Sequence, residues 1–151
     1  MNNEVISWLL EDKEPSIRYR TLTEFLGYSS DNKEVIVAKG KIEHCKNVER
    51  IFLKRNEEGL FPHKPEYYGN WTTFNYLTIL AELGLSGDDE RIIPIIDWIL
   101  TPGEEKQEYF VQKELGYAYL LDENNLGSCR QVSFLSTLVR LGYLEDPRVK
   151  E

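Results

Sequence analysis

Cysteine is scarce in this 151-residue chain, and its two copies, Cys45 and Cys129, lie far apart with no CxxC spacing. That excludes a disulfide framework and the usual zinc knuckle. Basic residues are in deficit, 18 Lys plus Arg against 26 Asp plus Glu, which leaves a formal net charge of −8. No basic block stands out, so no cationic face is expected to neutralise phosphates, and nucleic acid is not an expected partner. Long apolar runs are missing as well. The longest, Ile92 to Leu100, is interrupted by Pro94 and Asp97, and the opening MNNEV lacks the charged-then-apolar pattern of a secretory signal. The expectation is a soluble, cytoplasmic protein with no membrane span. No phosphate-binding loop, Ser-His-Asp order or paired-histidine metal spacing occurs either, so neither a cofactor nor a metal site is expected. A mass of 17.7 kDa suffices for one domain with a real core, and residues 1–151 are read as a single unit.

What the chain has is internal repetition. The phrase LGYSSDNKEVI at 26–36 returns as LGLSGDDERII at 83–93 and, degenerately, as LGYLEDPRVK at 141–150, placing Gly27, Gly84 and Gly142 57 and 58 residues apart. Each copy joins an apolar helix end to a glycine suited to the left-handed position after a helix. An aspartate four residues on (Asp31, Asp88, Asp146) is suited to capping the next helix. Each phrase reads as a helix–turn–helix corner. In the third, Pro147 follows Asp146, where a first-turn proline costs no hydrogen bond.

The segments between corners differ in kind. Over 72–83, Phe74, Tyr76, Leu77, Ile79, Leu80, Ala81 and Leu83 cover most of the circumference, which describes an inner helix buried on nearly all sides. The segment 130–141 is similar, and 16–26 is a more polar version. By contrast Val35, Ala38, Ile42, Cys45, Val48 and Phe52 form one stripe between charges, an outer helix, and 90–100 presents Ile92, Ile96 and Ile99 in the same way. Outer and inner helices alternating through like corners describe an αα-solenoid or toroid. Two longer connections, 54–71 and 101–128, run from outer to inner helices and gather aromatic and turn residues, the usual setting for function on a rigid scaffold.

The candidate site residues lie there. Tyr67, Tyr68, Trp71, Tyr117 and Tyr119 would line an apolar, electron-rich cavity or, alternatively, pack over helix ends. His63 and Lys64, with Arg130, would form a cationic rim near helix N-termini for a phosphate or carboxylate, or are solvated surface groups. Cys129, in GSCRQ at the start of an inner helix beside Arg130, is the weak catalytic candidate. The alternative is a small packed residue, which is also the reading of Cys45.

These residues resemble the squalene cyclase and prenyltransferase αα-toroid superfamily. IFLKRNEEGLF at 51–61 is similar to its QW repeat, with Arg55 in place of Gln, Gly59 matching and Phe61 in place of Trp. GNWTTFNYLTILAELG resembles the inner helix after that motif, and WLLEDKEPSIRYRTLTEFLG resembles the start of squalene-cyclase-like proteins of undefined activity. The resemblance implies an all-α fold, an incomplete αα-toroid or open αα-superhelix of hairpin repeats of about 57 residues, either whole or as the N-terminal part of a longer toroid. It does not carry over catalysis. The Asp-x-Asp-Asp acid motif is missing, Asp88 and Asp89 sit at a corner, and no Asp, Cys and His set for zinc is evident.

The expected function is therefore that of a helical-repeat module without complete catalytic machinery, acting through a protein partner or a homo-oligomer. The alternative is an enzyme, terpene cyclase or prenyltransferase related, or a binder of an isoprenoid-like apolar small molecule. The third corner announces an outer helix that the sequence does not complete, which leaves 130–141 with an open apolar edge. Partner binding is expected there, and Phe134 and Leu138 are the residues assigned to it.

Overall fold

The computed structural model describes residues 3–61, 73–101 and 129–150. These residues are helical, with no strand among them. Helix α1 spans Asn3–Leu9, and α2, Pro15–Arg20, runs on into a π-helical turn, Thr21–Phe25. There Thr21 and Thr23 return their hydroxyls to the carbonyls of Ile17 and Tyr19 at 2.8 and 3.0 Å. Then follow α3 (Lys33–Ile42), α4 (Lys46–Phe52), α5 (Thr73–Glu82), α6 (Ile93–Leu100) and α7 (Cys129–Leu141). A short 3-10 turn, Tyr143–Glu145, leads to α8, Pro147–Lys150.

Gly27, Gly84 and Gly142 all take positive φ, at 69°, 87° and 95°, so each helix before them ends in the left-handed conformation the sequence anticipates. The capping residues need correction at two corners. Asn32, not Asp31, accepts the Glu34 N–H at 2.9 Å, while Asp31 accepts from the Ser29 hydroxyl. Asp89, not Asp88, accepts the Arg91 N–H at 2.9 Å, and Asp146 accepts that of Arg148 at 2.9 Å as expected. The three acceptors are spaced evenly, 57 residues from 32 to 89 and from 89 to 146. The displaced assignments come from counting from glycine: the first two corners hold five steps between glycine and cap, the third only four.

The expected outer helix over 35–52 is two helices. Cys45 is extended, at φ −73° and ψ 150°, and opens α4. Steps of three from Ile42 to Cys45 to Val48 explain the break. Six residues turn a helix through about 600°, so in an unbroken helix Val48 would point about 120° away from Ile42. The interruption re-aims the second half, and Ile42, Val48 and Phe52 are all buried.

Two apolar clusters hold these elements. The larger joins Ile42, Val48 and Phe52 to Leu77 and Leu80 of α5, to Ile92, Ile95, Ile96 and Ile99 around α6, and to Phe134, Leu138 and Leu141 of α7. The smaller pairs Leu22 with Val35 and Ala38, flanked by Leu10, Tyr19 and Leu26. Helices α5 and α7 lie against each other, with the hydroxyls of Thr78 and Thr137 3.0 Å apart. At the end of α5, Glu82 takes Arg20 from α2 at 2.8 Å and Arg140 from α7 at 3.4 Å, so that end is tied to both helices. Among described side chains of α5 only Asn75 is exposed, as a helix covered on nearly all sides requires.

Candidate functional site

Two of the corners carry arginine–aspartate ion pairs. Arg91 chelates Asp89 with its Nε and Nη2 at 2.9 and 2.7 Å, reaches Glu49 of α4 at 2.7 Å and donates to the Glu43 carbonyl at 2.8 Å. Its guanidinium also stands 4.2 Å over the ring of Phe52. The Asp89 carboxylate is only 3% exposed. Burial would push its pKa up, but hydrogen bonds and charge from Arg91 outweigh that and hold it below the usual carboxylate range. Arg148 repeats the arrangement one corner later: it chelates Asp146 at 2.9 and 2.6 Å and reaches Asp97 of α6 at 2.9 Å. Hydrogen bonding from Arg148 holds Asp146 low as well.

The second corner borders an open depression of about 570 Å³, edged by Lys39, His44, Gly84, Asp88, Asp89 and Arg91. Lys39 donates to the Gly84 carbonyl and lies 4.9 Å over the Tyr19 ring, and burial pushes its ammonium pKa down. Lys39 and Arg91 are thus both engaged by the protein itself. Their work in this depression is to fasten the junction of α3 and α4 to the corner after α5, which is a structural task. The signal for it in the sequence is the Asp-x-Arg at 89–91 and 146–148. The reading of single aspartates as caps passed over the arginine two residues on. Among the described residues no group of three or more His, Cys, Asp or Glu side chains is placed to hold a metal ion.

His63, Lys64, Tyr67, Tyr68, Trp71, Tyr117 and Tyr119 lie outside the described residues, as do the side chains of Cys129 and Arg130 at the head of α7. Cys45 is half-buried against the larger cluster, with a free thiol.

The most distinctive surface is on α7. Phe134, Thr137, Leu138 and Leu141 are buried, whereas Val132, Leu135 and Val139 are 62%, 50% and 41% exposed. The expected open apolar edge is present, but Phe134 and Leu138 do not belong to it. They sit on the inward stripe at i and i+4, and the open stripe is the one at 132, 135 and 139. A second apolar surface, missed by the sequence reading, is α1. None of its residues is buried, and Val5 and Trp8 are 47% and 64% exposed. No described helix is long and apolar enough to cross a membrane. No protein-family model, curated protein or solved structure matches this chain.

Proposed function

We propose that the protein is a helical-repeat interaction module, an open αα-superhelix akin to the squalene cyclase and prenyltransferase toroids, which self-associates or binds a protein through the outward face of α7. The observation that carries this reading is the pairing, on one helix, of a buried stripe with an apolar stripe open to water. Three exposed aliphatic side chains within two helical turns make a contiguous patch, and such patches mark contact surfaces. Supporting it are the like corners at Gly27, Gly84 and Gly142 and the evenly spaced caps, which suit stacked units. The absence of an Asp-x-Asp-Asp motif from the sequence supports a role without terpene-cyclase chemistry.

Sedimentation velocity tests the reading. The wild-type chain is expected to run heavier than one 17.7 kDa chain and to become lighter on dilution. Joint replacement Leu135→Glu and Val139→Glu should return it to a single chain, while Ile36→Glu, also at an exposed position, should leave the assembly intact. A wild type that is one chain at every concentration, or a heavy particle indifferent to the α7 replacements, would count against the assignment.

A further inference from the structure

We propose that copies of the chain join head to tail, the helix α1 of one copy lying along the exposed stripe of α7 on the next. This rests on the interaction reading above and names what covers the open face.

The first support is a comparison of equivalent positions. Leu77 and Ala81 stand seven and three residues before Gly84, as Leu135 and Val139 stand before Gly142. On α5 these positions are 0% and 6% exposed, and on α7 they are 50% and 41% exposed. The same places before the glycine are apolar in both copies, but among the described residues those of α5 are covered and those of α7 are open. The covered stripe of α5 therefore has an open counterpart on α7.

The second support is that α1 has the complementary need. Seven residues make a helix far too short to persist in water on propensity alone. Yet Asn3–Leu9 forms one without burying a single residue, although it carries Val5, Ile6, Trp8 and Leu9. Val5 and Trp8, three apart, share its outward face, while the chain just after it is tied down by Leu10 in the smaller cluster. A tryptophan on an exposed helix face is the side chain best suited to anchor a contact, because it buries the most apolar area.

Third, the two surfaces match in length. Seven residues of helix run about 10 Å, and so does the stripe from Val132 to Val139. Glu82 at the end of α5 holds both Arg20 of α2, the helix that α1 leads into, and Arg140 of α7. In the proposed pairing the α1 face of one copy meets the α7 face of the next. Such a contact is heterologous, and it propagates or closes into a ring instead of stopping at a symmetric pair.

The test uses the full chain with Trp8→Glu or Leu135→Glu, both at exposed positions, each checked for unchanged helical circular dichroism. In sedimentation velocity each variant alone should lose the multi-chain species. Mixed in equal amounts they should regain a two-chain species and nothing larger, because the Trp8→Glu copy keeps an intact α7 face and the Leu135→Glu copy an intact α1. If Leu135→Glu abolishes association while Trp8→Glu leaves it unchanged, the interface on α7 stands and the head-to-tail pairing with α1 falls. A mixture that stays single-chain, with each variant also single-chain, overturns the head-to-tail pairing, because an intact α7 face and an intact α1 are then both present and do not join. A wild-type chain that never associates overturns both the head-to-tail pairing and the self-association reading.

Discussion

At the scale of single residues, the most buried ion-pair partner among the described residues is Asp89, chelated by Arg91. Removing the arginine leaves a carboxylate that is 3% exposed without its counter-charge, and the cost of stranding a buried ion is several times that of losing a surface pair. Arg91→Met is expected to lower unfolding stability by about 2–3 kcal/mol in urea titrations. Arg148→Met should cost no more than about 1 kcal/mol, because the Arg148 and Asp146 side chains are 37% and 15% exposed. The same carboxyls set the response to acid. Both Asp89 and Asp146 have folded pKa values below the ordinary one, so the unfolded chain takes up protons first as pH falls. Their stabilisation is complete above the unfolded carboxyl pKa of about 3.9 and is lost as pH drops through the folded values. Melting temperatures followed from pH 7 downward should fall below about pH 4, and Asp89→Asn should flatten part of that fall. Lys39 has the same sense in a more alkaline window. Its ammonium is disfavoured by burial, so its contribution improves as pH rises toward the unfolded lysine value of about 10.4.

At the scale of elements, two glycines make contrary predictions. Gly40 lies exposed inside α3 with open space where a Cβ would sit, so Gly40→Ala should stabilise by about 0.5–1 kcal/mol through helix propensity and a less flexible unfolded chain. Gly87 is held between two corners. Its N–H donates to the Leu141 carbonyl at 3.0 Å, and its own carbonyl accepts from the Tyr143 hydroxyl at 2.7 Å. A Cβ there would strike the Leu141 carbonyl, which is backbone and has no rotamer to change. Gly87→Ala should therefore cost about 2–3 kcal/mol, and chemical denaturation of the two variants side by side checks the opposite signs. Helix existence was legible from periodicity, since α3, α5, α6 and α7 stand within a few residues of their expected places. The break at Cys45 was written in the same stripe as two consecutive steps of three, and reading the stripe as continuous concealed it.

At the scale of the whole molecule, position in the assembly outweighs residue type. Leu77 and Leu135 are the same amino acid at equivalent places before Gly84 and Gly142, and one is buried while the other is half exposed. Leu77→Ala should cost about 3 kcal/mol, the usual range for emptying a packed leucine site. Leu135→Ala should cost well under about 1 kcal/mol in the isolated chain and act on association instead. Paired urea unfolding and sedimentation measurements separate the two effects.

The sequence by itself determined that the described residues are helical, where their corners turn, and that the helix before Gly142 carries apolar residues on more sides than one. Those are local matters of periodicity, glycine conformation and cap chemistry, which neighbouring residues decide among themselves. Only the tertiary structure decided which of those apolar residues face inward. Phe134 and Leu138 rather than Leu135 and Val139 enter the core because α5 lies on their side of the helix, a fact that no spacing within 130–141 contains. It likewise turned two Asp-x-Arg triplets into clamps on α4 and α6, since the acids that complete them are 42 and 51 residues away in the chain and meet the arginines only through packing.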